Sequence, residues 1–366
     1  MMNPYVDKII NLSFHTKPLS KTQEDFITDG YTPENAQELI RVATKKKVLP
    51  VVGKMMSRLA LDSHVWEEKY RFFEKRNQEI TRLVEDVFQA FTEAGVTRIC
   101  AFENYGAMLA AETDIALYSS GDVDLYAQPD QKEQIIRVLA GFGYKPTGDV
   151  LDRRNIMTEF FAPDAIVRIN VAWKPLRRLS MPMKADTAGY FDWENMGFYK
   201  DTAIRLPSPE TFLYLCFLRV AVHGYSRSPD IRLYIDTYNA THNDPNWEMV
   251  MDWAKADGMA TKFVTVATIA QDLIGIDVPE FVMEQAKRDP DCQKILDIAY
   301  DFENHTLRYD PSGLQLIKLE AASDNFSVAA LLLRMLFPSP NWLSEYYLTP
   351  GEKPFKKYIN YYRHLL

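Results

Sequence analysis

The segment Gly121-Asp122-Val123-Asp124-Leu125-Tyr126 constrains this chain more than any other six residues. Its alternation predicts a strand, in which side chains at i and i+2 share a face. Asp122 and Asp124 then project together, while Val123 and Leu125 point to the opposite, core-facing side. Two neighbouring carboxylates repel unless a positive partner joins them. A Mg²⁺ ion carrying phosphate oxygens would do so, because hard cations favour carboxylate and phosphate oxygens. A solvated strand edge is the competing reading, since Asp-x-Asp alone is a common pattern.

The surroundings predict an α+β unit. Ile80, Leu83, Val84, Val87, Phe88 and Phe91 recur at helical spacing and predict a long helix over 66–94, closed by Gly95. Strand signals at 96–102, 122–126, 156–161 and 166–173 alternate with helical stretches at 105–112 and 131–142. Helical patterns fill 33–61 before this unit. After Pro207 the pattern is helical again, opened by Ser208-Pro209-Glu210 as a cap with proline in the first turn. The expected division is an N-terminal helical region at 1–78, an α+β core at 79–205 and a C-terminal helical domain at 206–366.

Charge and cysteine usage narrow the function classes. Forty-two basic against fifty acidic residues give a net charge of −8, so no general nucleic-acid binding is expected. Cys100, Cys216 and Cys292 are far apart, lack C-x-x-C spacing and read as buried free thiols. Residues 1–14 hold no long apolar run. The apolar stretches at 212–222 and 328–337 are short and interrupted by Arg219 and Arg334. A cytoplasmic protein with no membrane partner is the expectation. Phosphate-loop, dinucleotide-fold, zinc-protease and serine-hydrolase signatures are missing, and six dispersed histidines do not suggest a zinc cluster.

The order of short motifs resembles the nucleotidyltransferase core of the DNA polymerase β superfamily, and more widely the family known as nucleotidyltransferase type 5. The residues that carry the resemblance are Ala94-Gly95-Val96, Tyr105-Gly106, Gly121-Asp122-Val123-Asp124-Leu125, Gly143-Tyr144 and Ile169-Asn170-Val171-Ala172-Trp173. Beyond the core, Leu206 to Glu210, His223, and Arg232-Leu233-Tyr234-Ile235-Asp236 are similar to the family's helical domain. The resemblance implies a polymerase β-like core with a short mixed sheet. It also implies Mg²⁺- or Mn²⁺-dependent transfer of a nucleoside monophosphate, AMP from ATP, to a hydroxyl of a small molecule, glycan or peptide. Its partners would be a nucleoside triphosphate and an acceptor.

Carried over by position, Asp122 and Asp124 become the metal ligands, and Asn170 joins them as the third catalytic position. Tyr105, Gly106, Gly121 and Lys174 become nucleotide-binding residues, and His223, Arg232 and Asp236 face the substrate. Several positions depart from the pattern. Tyr105 stands where lysine is usual, and Asn170 where a third acid is usual. Ala172 replaces a histidine, Arg219 stands where the helical domain often has its first histidine, and no arginine precedes Gly121. Asn170 can ligate a metal through its amide oxygen but cannot accept a proton as a base. Glu159 on the neighbouring strand, and Arg168 beside Asn170, are candidate compensations that depend on register.

Plainer roles stand beside these. Gly106 can allow close helix–strand packing, Tyr105 can be a core aromatic, His223 structural, and Asp236 a helix cap or the orienter of Arg232 or His223. Arg227 and Arg232 flank a Ser-Pro-Asp turn and are candidate phosphate contacts. Three functions remain open: an active transferase; a degenerate one that binds a nucleotide or protein without turnover; and a helical interaction module with an incidental Asp-x-Asp.

Overall fold

The computed structural model describes residues 4–14, 18–147, 156–176, 187–226, 231–308, 318–319, 321–322, 327–347 and 352–365. Arg227 lies outside them.

Four helices open the chain: α1 (Pro4–Ser13), α2 (Lys21–Asp29), α3 (Pro33–Lys45) and α4 (Leu49–Arg58). Thr32 caps α3 by accepting from the Asn35 amide, with Pro33 in the first turn. The 31-residue α5 (Ser63–Glu93) follows, burying Ile80, Val84, Val87, Phe88 and Phe91 along one stripe. Gly95, at φ +75°, supplies the left-handed turn after it. Because α5 runs unbroken past residue 78, the N-terminal region and the core share one helix.

The core then alternates β1 (Ile99–Ala101), α6 (Glu103–Ala110), β2 (Asp122–Ala127), α7 (Lys132–Gly141), β3 (Lys145–Pro146), β4 (Met157–Phe161) and β5 (Arg168–Ala172). The sheet order is β1-β2-β5-β4-β3. Only β2 and β5 run parallel; the other neighbours are antiparallel. The molecule is therefore α+β with a small mixed sheet. A two-stranded ribbon, β6 (Gly197–Phe198) with β7 (Arg205–Leu206), leads into the helical region.

That region contains α8 (Pro209–Val222), α9 (Ile231–Ala240), α10 (Trp247–Ala256), α11 (Ala260–Ile274), α12 (Glu280–Arg288) and α13 (Pro290–Ala299). A hairpin of β8 (Tyr300–Asp301) and β9 (Thr306–Leu307) follows, then α14 (Val328–Leu336), α15 (Pro340–Tyr347) and α16 (Lys356–Leu365). Ser208 caps α8, with Pro209 in its first turn, and α8 is buried nearly all round. Among the described residues no helix is long and apolar enough to cross a membrane. The three cysteines are buried and free.

Two apolar clusters organise the packing. One joins α5 stripe residues to the sheet through Val123, Leu125, Ile169 and Val171. The other unites the opening helices with α8 to α13, for example Val6, Val52 and Trp66 with Phe217, Tyr234 and Leu273. The helical regions at the two ends of the sequence thus share a core, and the sheet's acidic face lies against it.

Candidate active site

Register decides which side chains meet. Parallel pairing sets Asp122 opposite Arg168 and Asp124 opposite Asn170; antiparallel pairing sets Glu159 opposite Asn170. Directly opposed residues share a face, so these five side chains project from one side of the sheet. Val123, Leu125, Ile169 and Val171 enter the core on the other side.

Asn170 ties the aspartates together. Its Nδ2 donates to Asp122 Oδ2 at 2.9 Å and to Asp124 Oδ1 at 3.0 Å. The side-chain amide thus sits between two carboxylates, where a cation would also sit. Its own Oδ1 is buried with no hydrogen-bond partner. Leaving a buried acceptor unsatisfied costs about 1–3 kcal/mol. That orphaned oxygen, with two carboxylates converging beside it, is the donor chemistry of a hard-cation site. Asp122, Asp124 and the Asn170 amide oxygen are the residues that would hold the ion. Among the described residues no three Asp, Glu, His or Cys side chains are arranged to hold a metal. Glu159 does not complete the set: its carboxylate pairs with Arg168 Nη1 at 2.9 Å.

The two aspartates live in opposite fields. Asp122 is half-buried at the mouth. Burial opposes its ionisation, but the Ser120 hydroxyl, the Arg232 charge, the Asn170 amide and Lys47 outweigh it and hold the carboxyl below its ordinary value. Tyr118 donates to the Asp122 carbonyl, and Ser120 donates to its carboxylate. Asp124 is only 7% exposed. Burial, then repulsion from Glu103 and Asp122, pushes its carboxyl well above the usual range, against the opposing pull of Arg219 and Asn170.

Glu103 is the nearest newcomer. The Phe102 amide donates to the Asp124 carbonyl at 2.9 Å, so the residue that follows Phe102 enters the same face region. Glu103 starts α6 at φ +51°, a left-handed conformation that a non-glycine residue adopts at a cost of about 1–3 kcal/mol. Its carboxylate lies 2.5 Å from Arg219 Nη2, and Arg219 Nη1 reaches Asp236 at 3.4 Å. One arginine therefore pairs with two carboxylates, and its charge also reaches Asp124. The more distant one loses: burial raises Asp236 to about 6 despite Arg219 and Arg232.

The remaining expected residues fall in different places. Gly106 lies inside α6, where an added Cβ would stand 2.6 Å from the Ala101 carbonyl oxygen. Glycine there permits α6 to lie on β1. Tyr105 is fully buried, donates to Thr81 Oγ1 at 3.3 Å and packs edge-on to Tyr118. Both residues shape the core beneath the site rather than its surface, so the lysine-like, phosphate-facing role expected of Tyr105 finds no geometry here. Gly121 is exposed, with open space around its Cβ position. Lys174 lies two residues past the end of β5, where the strand has already given way to a bend. His223 caps the end of α8 and is exposed, one turn beyond buried Arg219. Arg232 does reach the site: its Nη1 donates to Ser120 Oγ at 3.1 Å.

Sequence reading missed Arg76, Asn77, Ser120 and Glu103. Asn77 is buried on α5 and donates to the carbonyls of Ile115 and Tyr118 at 2.7 and 2.8 Å. Arg76 donates to the Ser120 carbonyl at 2.6 Å. Together they pin the segment that leads into Asp122. The available signal was Asn77 itself, a polar residue three positions before Ile80 on an otherwise apolar stripe.

A cavity of about 1050 Å³ lies elsewhere, between α1, α11 and the β8–β9 hairpin, lined by Asn11, Asp272 and His305 among others. None of the acid-face residues lines it.

The family model described as uncharacterised nucleotidyltransferase matches residues 32–275, which is more than half of the chain. The match opens at Thr32, the cap of α3, and closes at Gly275, the cap of α11. The chain belongs to that nucleotidyltransferase family. Comparison with curated proteins and with solved structures gave no match.

Proposed function

We propose that this nucleotidyltransferase-family protein binds a nucleoside triphosphate, ATP first among them, with Mg²⁺ or Mn²⁺ at Asp122 and Asp124, and slowly transfers the nucleoside monophosphate to an acceptor hydroxyl. The observation that carries this reading is the convergence of both carboxylates on one amide whose oxygen is orphaned. In the transfer, the acceptor oxygen bonds to the α-phosphorus, and the bond from that phosphorus to the β-phosphate oxygen breaks, releasing pyrophosphate. The bound ion would supply charge neutralisation for the entering and leaving oxygens.

The protein's own residues do the rest. Asp122, ionised at the mouth, is ready to receive a cation. Asn170 now donates to both aspartates, and with its amide turned its unpartnered oxygen would join them as a ligand to the ion. Gly121 leaves the backbone open to a close-approaching phosphate. His223 stands on the helical side, where the acceptor would lie, and Asp236 pairs with Arg219 nearby. Among the described residues no third carboxylate is placed to take the hydroxyl proton, so that proton passes to water and a contribution of about 10²–10⁴ in rate is missing.

A second reading rests on the same amide. Because the Asn170 amide already bonds to both carboxylates, it occupies the place of a cation, which favours nucleotide binding without turnover. Two measurements separate the readings: thermal stabilisation by each nucleoside triphosphate with and without Mg²⁺, and release of pyrophosphate. Metal-dependent stabilisation with slow release supports transfer. Stabilisation without release, even after Asn170→Asp, supports the binding-only reading. No response to any nucleotide, with Asp122→Ala indifferent, contradicts both.

A further inference from the structure

Ser120 is the meeting point of two helices that are distant in sequence. From α5, Arg76 Nη2 donates to the Ser120 carbonyl at 2.6 Å, and Nη1 donates to Asn77 Oδ1 at 3.2 Å. From α9, Arg232 Nη1 donates to the Ser120 hydroxyl at 3.1 Å. All of these acceptors are neutral. Among the described residues neither guanidinium is within ion-pair distance of a carboxylate, although the Arg232 charge reaches Asp122 and Asp236 and the Asp122 charge reaches Arg76.

A cation removed from water normally faces a carboxylate or a bound anion. Arg76 is half-buried, and burial lowers its proton affinity even though the Asp122 charge opposes that shift. Lys47, whose carbonyl accepts from the Ser119 hydroxyl, adds positive charge that reaches Asp122. Beside these groups lies Gly121, exposed and with nothing within 4 Å of where a Cβ would stand. Converging guanidinium donors around open space suit a phosphate group, whose oxygens accept forked pairs of N–H bonds. The loop lacks an arginine of its own, and two helices deliver the charge instead.

We propose that Arg76 and Arg232 form a two-armed polyphosphate site, one arm from the helix that enters the core and one from the C-terminal helical domain. It holds the phosphate tail of the nucleotide and rests on the nucleotide reading for the identity of that ligand. The anion contact itself needs no metal. It ties α5 to α9 across Ser120, so both helical regions take part in binding.

The test uses inorganic tripolyphosphate with the full-length protein in EDTA, followed by calorimetry. The wild type binds, and Arg76→Gln and Arg232→Gln each weaken binding by about tenfold or more, as expected for loss of a charged hydrogen-bond donor. Asp122→Asn, which removes a neighbouring negative charge, binds at least as tightly. Arg76 also pins the Ser120 carbonyl, so thermal unfolding accompanies each variant. If Arg76→Gln fails to fold, Arg76→Lys and Arg232→Gln carry the test, with Arg232→Gln still expected to lose about tenfold.

Equal binding by the wild type and Arg232→Gln, or no binding by the wild type, overturns the proposal. Metal-dependent ATP stabilisation that is lost in Asp122→Asn but unmoved by either arginine variant overturns it while leaving the nucleotidyl reading intact. Tripolyphosphate binding lost in the arginine variants, with no metal-dependent response to ATP, supports the anion site and contradicts the nucleotidyl reading.

Discussion

The outer and inner halves of the acid face carry opposite charge imbalances. At the mouth, Arg76, Arg232 and Lys47 surround one ionised carboxylate, Asp122. Deeper in, Asp124, Glu103 and Asp236 surround one arginine, Arg219. The two halves touch through Asn170, whose amide bonds to one aspartate from each. A uniform acidic patch would attract a metal but repel its phosphates. A uniform basic patch would do the reverse. Splitting the charge along a strand pair places attraction for a cation and for an anion a few ångströms apart, as a metal-bound polyphosphate requires.

The largest expected effect comes from converting the bridge. Asn170→Asp supplies the missing base and a third carboxylate, and pyrophosphate release should rise by about 10²-fold or more. A release assay with ATP and Mn²⁺ checks this; unchanged release in a folded variant would assign the site to binding alone. Without metal, the same variant adds a negative charge to the inner half and should unfold more easily than the wild type.

Next comes removal of the inner half's cation. Arg219→Met leaves Glu103, Asp236 and Asp124 buried together without compensation. Breaking such a pair costs about 3–5 kcal/mol. Urea unfolding at neutral pH measures it, and a loss below 1 kcal/mol would show that the carboxylates had other partners.

Asp236 sharpens the contrast through pH. Its folded value, about 6, lies above the ordinary 3.8, so the folded protein holds a proton that the unfolded chain releases. The stability that comes from this group is complete below the ordinary value and is lost as pH rises through the folded one. Relative to Asp236→Asn, the wild type should therefore lose up to about 3 kcal/mol between pH 4 and pH 7. A pH-independent difference would mean that Arg219 compensates Asp236 in full.

The smallest effect is expected at Glu159, which shares the face but is paired with an exposed Arg168. Glu159→Gln should change stability by no more than about 1 kcal/mol and leave nucleotide response unaltered. A strong fall in metal affinity would instead make Glu159 part of the cation site.

Much of this was legible locally. The alternation around Asp122 and Asp124 identified the strand, and the apolar stripe of α5 with its glycine stop identified the helix, because both signals reside in neighbouring residues. The motif order carried the fold and the family. What stayed hidden depended on tertiary placement. Alternation left the aspartate face open, whereas the helical region covers Asp124 with Arg219 and its partners. Glu103 gave no periodic signal, since its role comes from one left-handed residue at the start of α6. Arg76 read as an ordinary helix charge, and only the folded loop brings it to Ser120. The motif match at Tyr105-Gly106 marked two residues that fold into the core: Tyr105 is fully buried and Gly106 lets α6 lie on β1.

The split field is tested most directly by titrating Mn²⁺ while following the resonance of the free ion, with and without a non-hydrolysable ATP analogue. One bound ion is expected, tightened about tenfold by the analogue, with the analogue tightened equally by the ion. Mn²⁺ binding that ignores the analogue, or persists unchanged in Asp122→Asn, would contradict it.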